Sequence, residues 1–132
     1  MRGLAILLVV LLSASGGYAA LRKLARWRYL GHRKPLELDQ IYRDYVAGRG
    51  ISCDVFEEVY ERFGRSYGID KRLIRPDDQI KWYSELDTWR LGEGAEQMGR
   101  WLGARAGFDP QTDKPVTLME VLKLVQLRAP NS

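Results

Sequence analysis

One cysteine, one histidine and no acidic residue before position 37 are the first constraints on this chain of 132 residues. A lone Cys53 cannot close an intramolecular disulfide, so no cysteine framework staples the fold. It reads as a small residue near a helix start. With His32 as the only histidine, the chain has no Cys/His metal constellation and no Ser–His or Cys–His nucleophile pair. No stretch alternates apolar and polar residues over the length of a strand, which argues against a β architecture. Repeats and low-complexity segments are also missing. Leu91-Gly92-Glu93-Gly94 lacks both the Lys-Ser/Thr and the preceding strand of a phosphate loop. The adjacent acids Glu57-Glu58 and Asp77-Asp78 read as solvated surface and not as an acid–base pair. Neither enzymatic activity nor a bound metal is expected.

Charge is divided along the chain. Of 21 Lys and Arg, Arg2 precedes an apolar run and six (Arg22, Lys23, Arg26, Arg28, Arg33, Lys34) follow it directly. That leaves 14 cations against 17 acids from Glu37 onward, a balance of −3. The sequence pI near 9.3 therefore describes the collar and not the domain, and no nucleic-acid partner is expected.

Leu4 to Leu21 carry no charge. At about 1.5 Å rise per residue the run is roughly 27 Å long, enough for a hydrocarbon core. Cations clustered just after it predict retention of that flank in the cytoplasm. The expected organisation is a transmembrane helix over 1–21, a basic juxtamembrane collar over 22–36, and a helical domain over 37–128. The location expected is the inner membrane, single-pass, with membrane lipid as a partner. Arg22, Lys23, Arg26, Trp27 and Arg28 are the surface-contacting residues. The alternative is a signal peptide cleaved near Gly17-Tyr18-Ala19, with export of the remainder.

Beyond the break at His32–Pro35, Leu38, Ile41, Tyr42, Tyr45 and Val46 mark one face of a short helix ended by Gly48-Arg49-Gly50. Ser52 or Asp54 caps a second helix, whose apolar face is Val55, Phe56, Val59, Tyr60, Phe63 and Tyr67, stopped by Gly68. Ile69 to Trp89 is a connection of about twenty residues whose apolar members predict packing onto the helices. Glu93 to Arg105 is helical with Ala95, Met98, Trp101 and Leu102 inward. Asp109 to Pro115 is turn-rich. Thr117-Leu118-Met119-Glu120 is a capping box that opens a last helix carrying Val121, Leu122, Leu124 and Val125.

A capped helix, a long connection, a second helix, a turn-rich link and a short helix opening with Thr-x-x-Glu together resemble the acyl carrier protein fold. The likeness runs from about Ser52 to Gln126. It is carried by Gly68-Ile69-Asp70 leading into Ile74-Arg75-Pro76-Asp77-Asp78-Gln79-Ile80, and by Val116-Thr117-Leu118-Met119-Glu120-Val121. The chain is also similar to an uncharacterised bacterial family of carrier-like proteins that lack the prosthetic-group serine. The expected fold is all-α: an N-terminal transmembrane helix plus a small acyl-carrier-like helical bundle.

In that family a serine at the start of the second helix carries phosphopantetheine. Three registers place Thr88, Arg90 or Ala95 at its position, none of them serine. The resemblance therefore implies no cofactor, with a phosphopantetheine-bearing carrier using Thr88 as the alternative. The acidic docking helix of carriers retains only Glu93 and Glu96, beside Arg90, Arg100 and Arg105. Together with Trp82, Tyr83, Trp89 and Trp101, the two acids are candidate contacts for an unidentified protein partner. The expected function is that of a membrane-anchored, non-enzymatic protein-interaction module.

Overall fold

The computed structural model describes residues 2–11, 13, 17, 24, 30–87 and 92–128. The chain divides into two units, Met1–His32 and Arg33–Ser132.

In the first unit residues 2–11 are helical, with Leu4 and Ile6 to Leu11 exposed. The expected transmembrane anchor is corrected here: among the described residues, no helix is long and apolar enough to cross a membrane. The sequence of Ser13-Ala14-Ser15-Gly16-Gly17 shows why the apolar run is weaker than its uncharged length implies. The single-pass inner-membrane location and the membrane-lipid partner rested on that anchor and fall with it. The proposed surface residues Arg22, Lys23, Arg26, Trp27 and Arg28 lie outside the described residues.

The second unit is all-α among the described residues. Helix α1 (Leu38–Ile41) runs into a π-helical turn (Tyr42–Val46), and Ile41 and Val46 are buried while Tyr45 faces solvent. Helix α2 (Cys53–Tyr67) is the central element. The Ser52 hydroxyl, not Asp54, caps it by accepting from the Val55 amide at 3.2 Å. All six apolar positions read from the sequence are buried. Gly68 ends the helix at φ 65° in the left-handed region, and the Ile69 amide donates to Gly64 O at 2.9 Å.

The stretch from Ile69 was expected as one long connection, and the structure makes half of it helical. A 3-10 turn (Lys71–Leu73) is capped by Asp70, and helix α3 spans Ile80–Asp87. Bonds from far along the chain set the start of α3. Ile80 N donates to Val116 O at 2.8 Å, and Leu118 N donates to Asp78 O at 3.0 Å, around an isolated bridge between Gln79 and Thr117.

Helix α4 (Glu93–Ala106) lies between Gly92 and Gly107, both left-handed. Its inward stripe is Gly94, Met98, Leu102 and Ala106; Ala95, expected inward, is exposed and Trp101 is half-buried. Helix α5 (Leu118–Arg128) opens on the expected cap. Thr117 Oγ1 accepts from Glu120 N, and the Glu120 carboxylate accepts from Val116 N.

Helix α2 packs on α3, α4 and α5. Tyr60, Phe63, Tyr83, Leu118, Leu122 and Val125 are almost completely buried, each worth about 1.5–3 kcal/mol of burial if apolar throughout. Phe63 meets Tyr83 edge-on at 4.6 Å between ring centroids.

Candidate functional site

Among the described residues, the core holds one charged centre, around Asp78 and Arg75. Asp78 receives two bonds from Arg33, at 2.6 and 2.7 Å, one from the Arg75 amide at 2.9 Å and one from the Tyr83 hydroxyl at 2.5 Å. Burial and the Asp78 charge push the Tyr83 hydroxyl far above its usual value, so it stays a neutral donor. Arg75 in turn donates to the carbonyls of Lys34, Arg72 and Ile74. Among the described residues, no buried side-chain nitrogen or oxygen is left without a hydrogen-bond partner. The cluster therefore ties the 33–37 segment to the 70–80 segment and leaves nothing directed at a ligand.

The surface between α2 and α4 is different. On α2, Arg62, Arg65 and Ser66 follow i, i+3, i+4 spacing; on α4, Gln97, Arg100 and Trp101 repeat it. Each triplet lies on one face of its helix, and the packing of α2 on α4 brings the two faces together around a groove of about 350 Å³. The Arg62 guanidinium sits 5.7 Å from the centroid of the Trp101 ring, within cation–π range. Arg65 pairs with Glu61 at 2.9 Å and Arg100 with Glu96 at 2.7 Å, both at i,i+4. The side chains of Arg65 and Arg100 are 65% and 74% exposed, so solvent screens these pairs and they hold each arginine only weakly.

Around the same helix the charge reverses. Leu38, Asp54, Glu57, Glu58, Glu61 and Lys71 line a shallow depression of about 530 Å³. Three of its acids are engaged: Glu58 with Arg105 at 2.7 Å, Glu61 with Lys71 at 2.8 Å, and Glu57, which accepts from the Cys53 thiol at 3.7 Å. Lys71 first, then Arg65, holds the Glu61 carboxyl below its usual value. Cys53 is exposed at the edge of this acidic surface. Partial desolvation, followed by Glu57, raises its thiol, which disfavours the thiolate a reactive cysteine needs. No group of three or more His, Cys, Asp or Glu is placed to hold a metal ion among the described residues.

No family model, curated protein or solved structure matches the chain.

Of the residues singled out in the sequence, Glu93, Glu96 and Trp101 reach the α4 surface; Glu93 accepts from Gln97 at 3.2 Å. Trp82 is half-buried on α3. Tyr83, expected as a partner contact, is corrected to a core residue: it is 1% exposed and bonded to Asp78. Thr88, Arg90 and Trp89 lie outside the described residues. The remaining register for phosphopantetheine falls on Ala95, exposed in the first turn of α4 between Gly94 and Glu96. A methyl group cannot form the phosphodiester, so these described residues do not fit the prosthetic group. Arg62 and Arg65 were not read as functional. Their signal was present in the sequence, two cations three apart on the polar side of an amphipathic helix, but a solvated face has the same pattern.

Proposed function

We propose that residues 33–128 form a non-enzymatic helical module of carrier-like layout, and that it binds another protein through the paired faces of α2 and α4. The observation that carries this reading is the placement of Arg62 over Trp101, flanked by Arg65 and Arg100, on two helices held by a common core. Arg and Trp dominate the energetic centres of protein interfaces because each offers a broad, stiff contact surface with a polar handle. Here both are pre-positioned, which lowers the ordering cost that association normally exacts. The carrier-like layout supports the same face. In the carrier-like reading α4 stands for the docking helix of carriers, with no hydroxyl in its first turn.

The test is site-specific photo-crosslinking in the native cell from position 97, at the rim of the groove. A discrete protein adduct is expected, lost when Trp101→Ala and Arg62→Glu are introduced separately. Crosslinking no stronger than from Lys123, on the exposed side of α5, sinks the interaction reading. Intact-mass measurement after exposure to a phosphopantetheinyl transferase tests the non-carrier part. An added phosphopantetheine arm would overturn it.

A further inference from the structure

We infer that the α2/α4 groove takes an acidic segment of its partner, a short run of Asp and Glu side chains, so that the docking polarity is the reverse of what a carrier-like helix implies. The inference rests on the interaction reading above and names the chemistry of the occupant.

Three guanidinium groups converge on one groove from two helices. A guanidinium is a planar fork that matches a carboxylate in two parallel bonds, so clustered arginines select carboxylates by geometry as well as charge. Arg65 and Arg100 already bond carboxylates, Glu61 and Glu96, each through a single bond within its own helix, which leaves the rest of the fork for another acceptor. Those intrahelical pairs are exposed and weak, so an incoming carboxylate exchanges for them at little cost. Arg62, held against the Trp101 ring, then gives the occupant both a charge partner and an apolar floor for its methylenes.

The size and setting of the groove favour a short acidic peptide over a nucleic acid. About 350 Å³ accommodates a few side chains. The positive face is an island: Asp54, Glu57, Glu58 and Glu61 lie N-terminal to it on α2, Glu93 and Glu96 lie N-terminal to it on α4, and the region from Glu37 carries −3 overall. A duplex laid across the arginines would extend its phosphates over these acids, where like charges repel. A run of a few carboxylates meets only Glu61 and Glu96, which it replaces on Arg65 and Arg100, and ends before the acids further along each helix.

The experiment uses the full chain, with arginine Nε and tryptophan indole signals followed by NMR. The probe is a capped oligoglutamate peptide, compared with capped oligoglutamine and with a short DNA duplex. Oligoglutamate is expected to shift the Arg62 and Trp101 signals saturably, with affinity falling as salt rises through the range where the Debye length drops below about 8 Å. Arg62→Glu should weaken it roughly tenfold or more, and Arg62→Lys should restore only part, since an ammonium lacks the fork. Equal binding of oligoglutamine, tighter binding of DNA, or oligoglutamate shifts that survive Arg62→Glu each overturn the inference. So does salt-sensitive self-association of the free chain that oligoglutamate fails to reverse, because the occupant is then the acidic stripe of a second copy. The two readings fail separately. A protein adduct from position 97 whose contact segment is neutral or basic leaves the interaction module standing and removes the acidic occupant.

Discussion

Asp78 keeps its carboxylate 2% exposed while accepting from Arg33, the Arg75 amide and Tyr83. An unpaired carboxylate at that depth would cost several kcal/mol, so these donors make its burial tolerable; the pair need not be a net source of stability. The expected consequences are graded. Asp78→Ala leaves a partly buried guanidinium and two other donors without their acceptor, and should destabilise the domain by about 3–5 kcal/mol in denaturant unfolding. Tyr83→Phe removes one hydrogen bond to a charged group and should cost about 1.5–3 kcal/mol. If Asp78→Ala costs no more than Tyr83→Phe, Arg33 is not coupled to Asp78 in solution. In the sequence Asp77-Asp78 read as two solvated acids, and only Asp77 is exposed. Adjacent acids look alike until a cation more than forty residues upstream is placed beside one of them.

Among the elements, α2 and α5 were legible because their signals are local: a Ser or Thr cap, an apolar face at helical spacing, and for α2 a terminal glycine. Helix α3 was not, since its first turn depends on bonds to Val116 and Leu118, far along the chain. The end of α2 carries its own prediction. A Cβ on Gly64 would stand 2.9 Å from the Ile69 carbonyl oxygen, a backbone atom with no rotamer to escape into. Gly64→Ala should therefore destabilise by about 1–2 kcal/mol, overpacking outweighing the helix propensity gained. Thermal unfolding checks this, and an unchanged or raised Tm contradicts it.

The far end of α5 is tied to the preceding turn by Arg128, which grips Asp113 at 2.7 and 2.8 Å. Arg128, aided by the Asp109 amide, lowers the Asp113 carboxyl from 3.8 to about 2. A depressed carboxylate contributes stability that is complete above its unfolded value, near 4, and lost as pH falls toward and through the folded one. Asp113→Asn should lower Tm at neutral pH and lose less on going from pH 5 to pH 2 than the unaltered chain. Parallel Tm–pH curves would show that the pair does not form. Glu61 and Asp70 are also lowered by their cations, so acid sensitivity should be reduced in the variant and not abolished.

At the scale of the molecule, the candidate site was only half readable. Glu93, Glu96 and Trp101 share one helix and could be read from α4 alone, whereas the opposing Arg62 and Arg65 become a site only once α2 packs on α4. The N-terminal limit of the folded unit was hidden for the same reason. Arg33 and Lys34 looked like members of one basic collar, yet Arg33 bonds Asp78, the Lys34 carbonyl accepts from Arg75, and the Leu36 amide donates to Arg72 O at 3.0 Å. A fragment of residues 33–132 should therefore unfold cooperatively on its own. A fragment beginning at Leu38 loses Arg33, the two backbone partners and the Glu37 carbonyl that accepts from Gln40 N and Ile41 N at the start of α1, and it strands Asp78 with half its donors. Breaking a buried pair in this way costs about 3–5 kcal/mol. In a domain of this size that should lower Tm by more than about 10 °C relative to the longer fragment. Equal Tm values for the two fragments would mean that the 33–37 segment is dispensable and that the helices alone hold the fold.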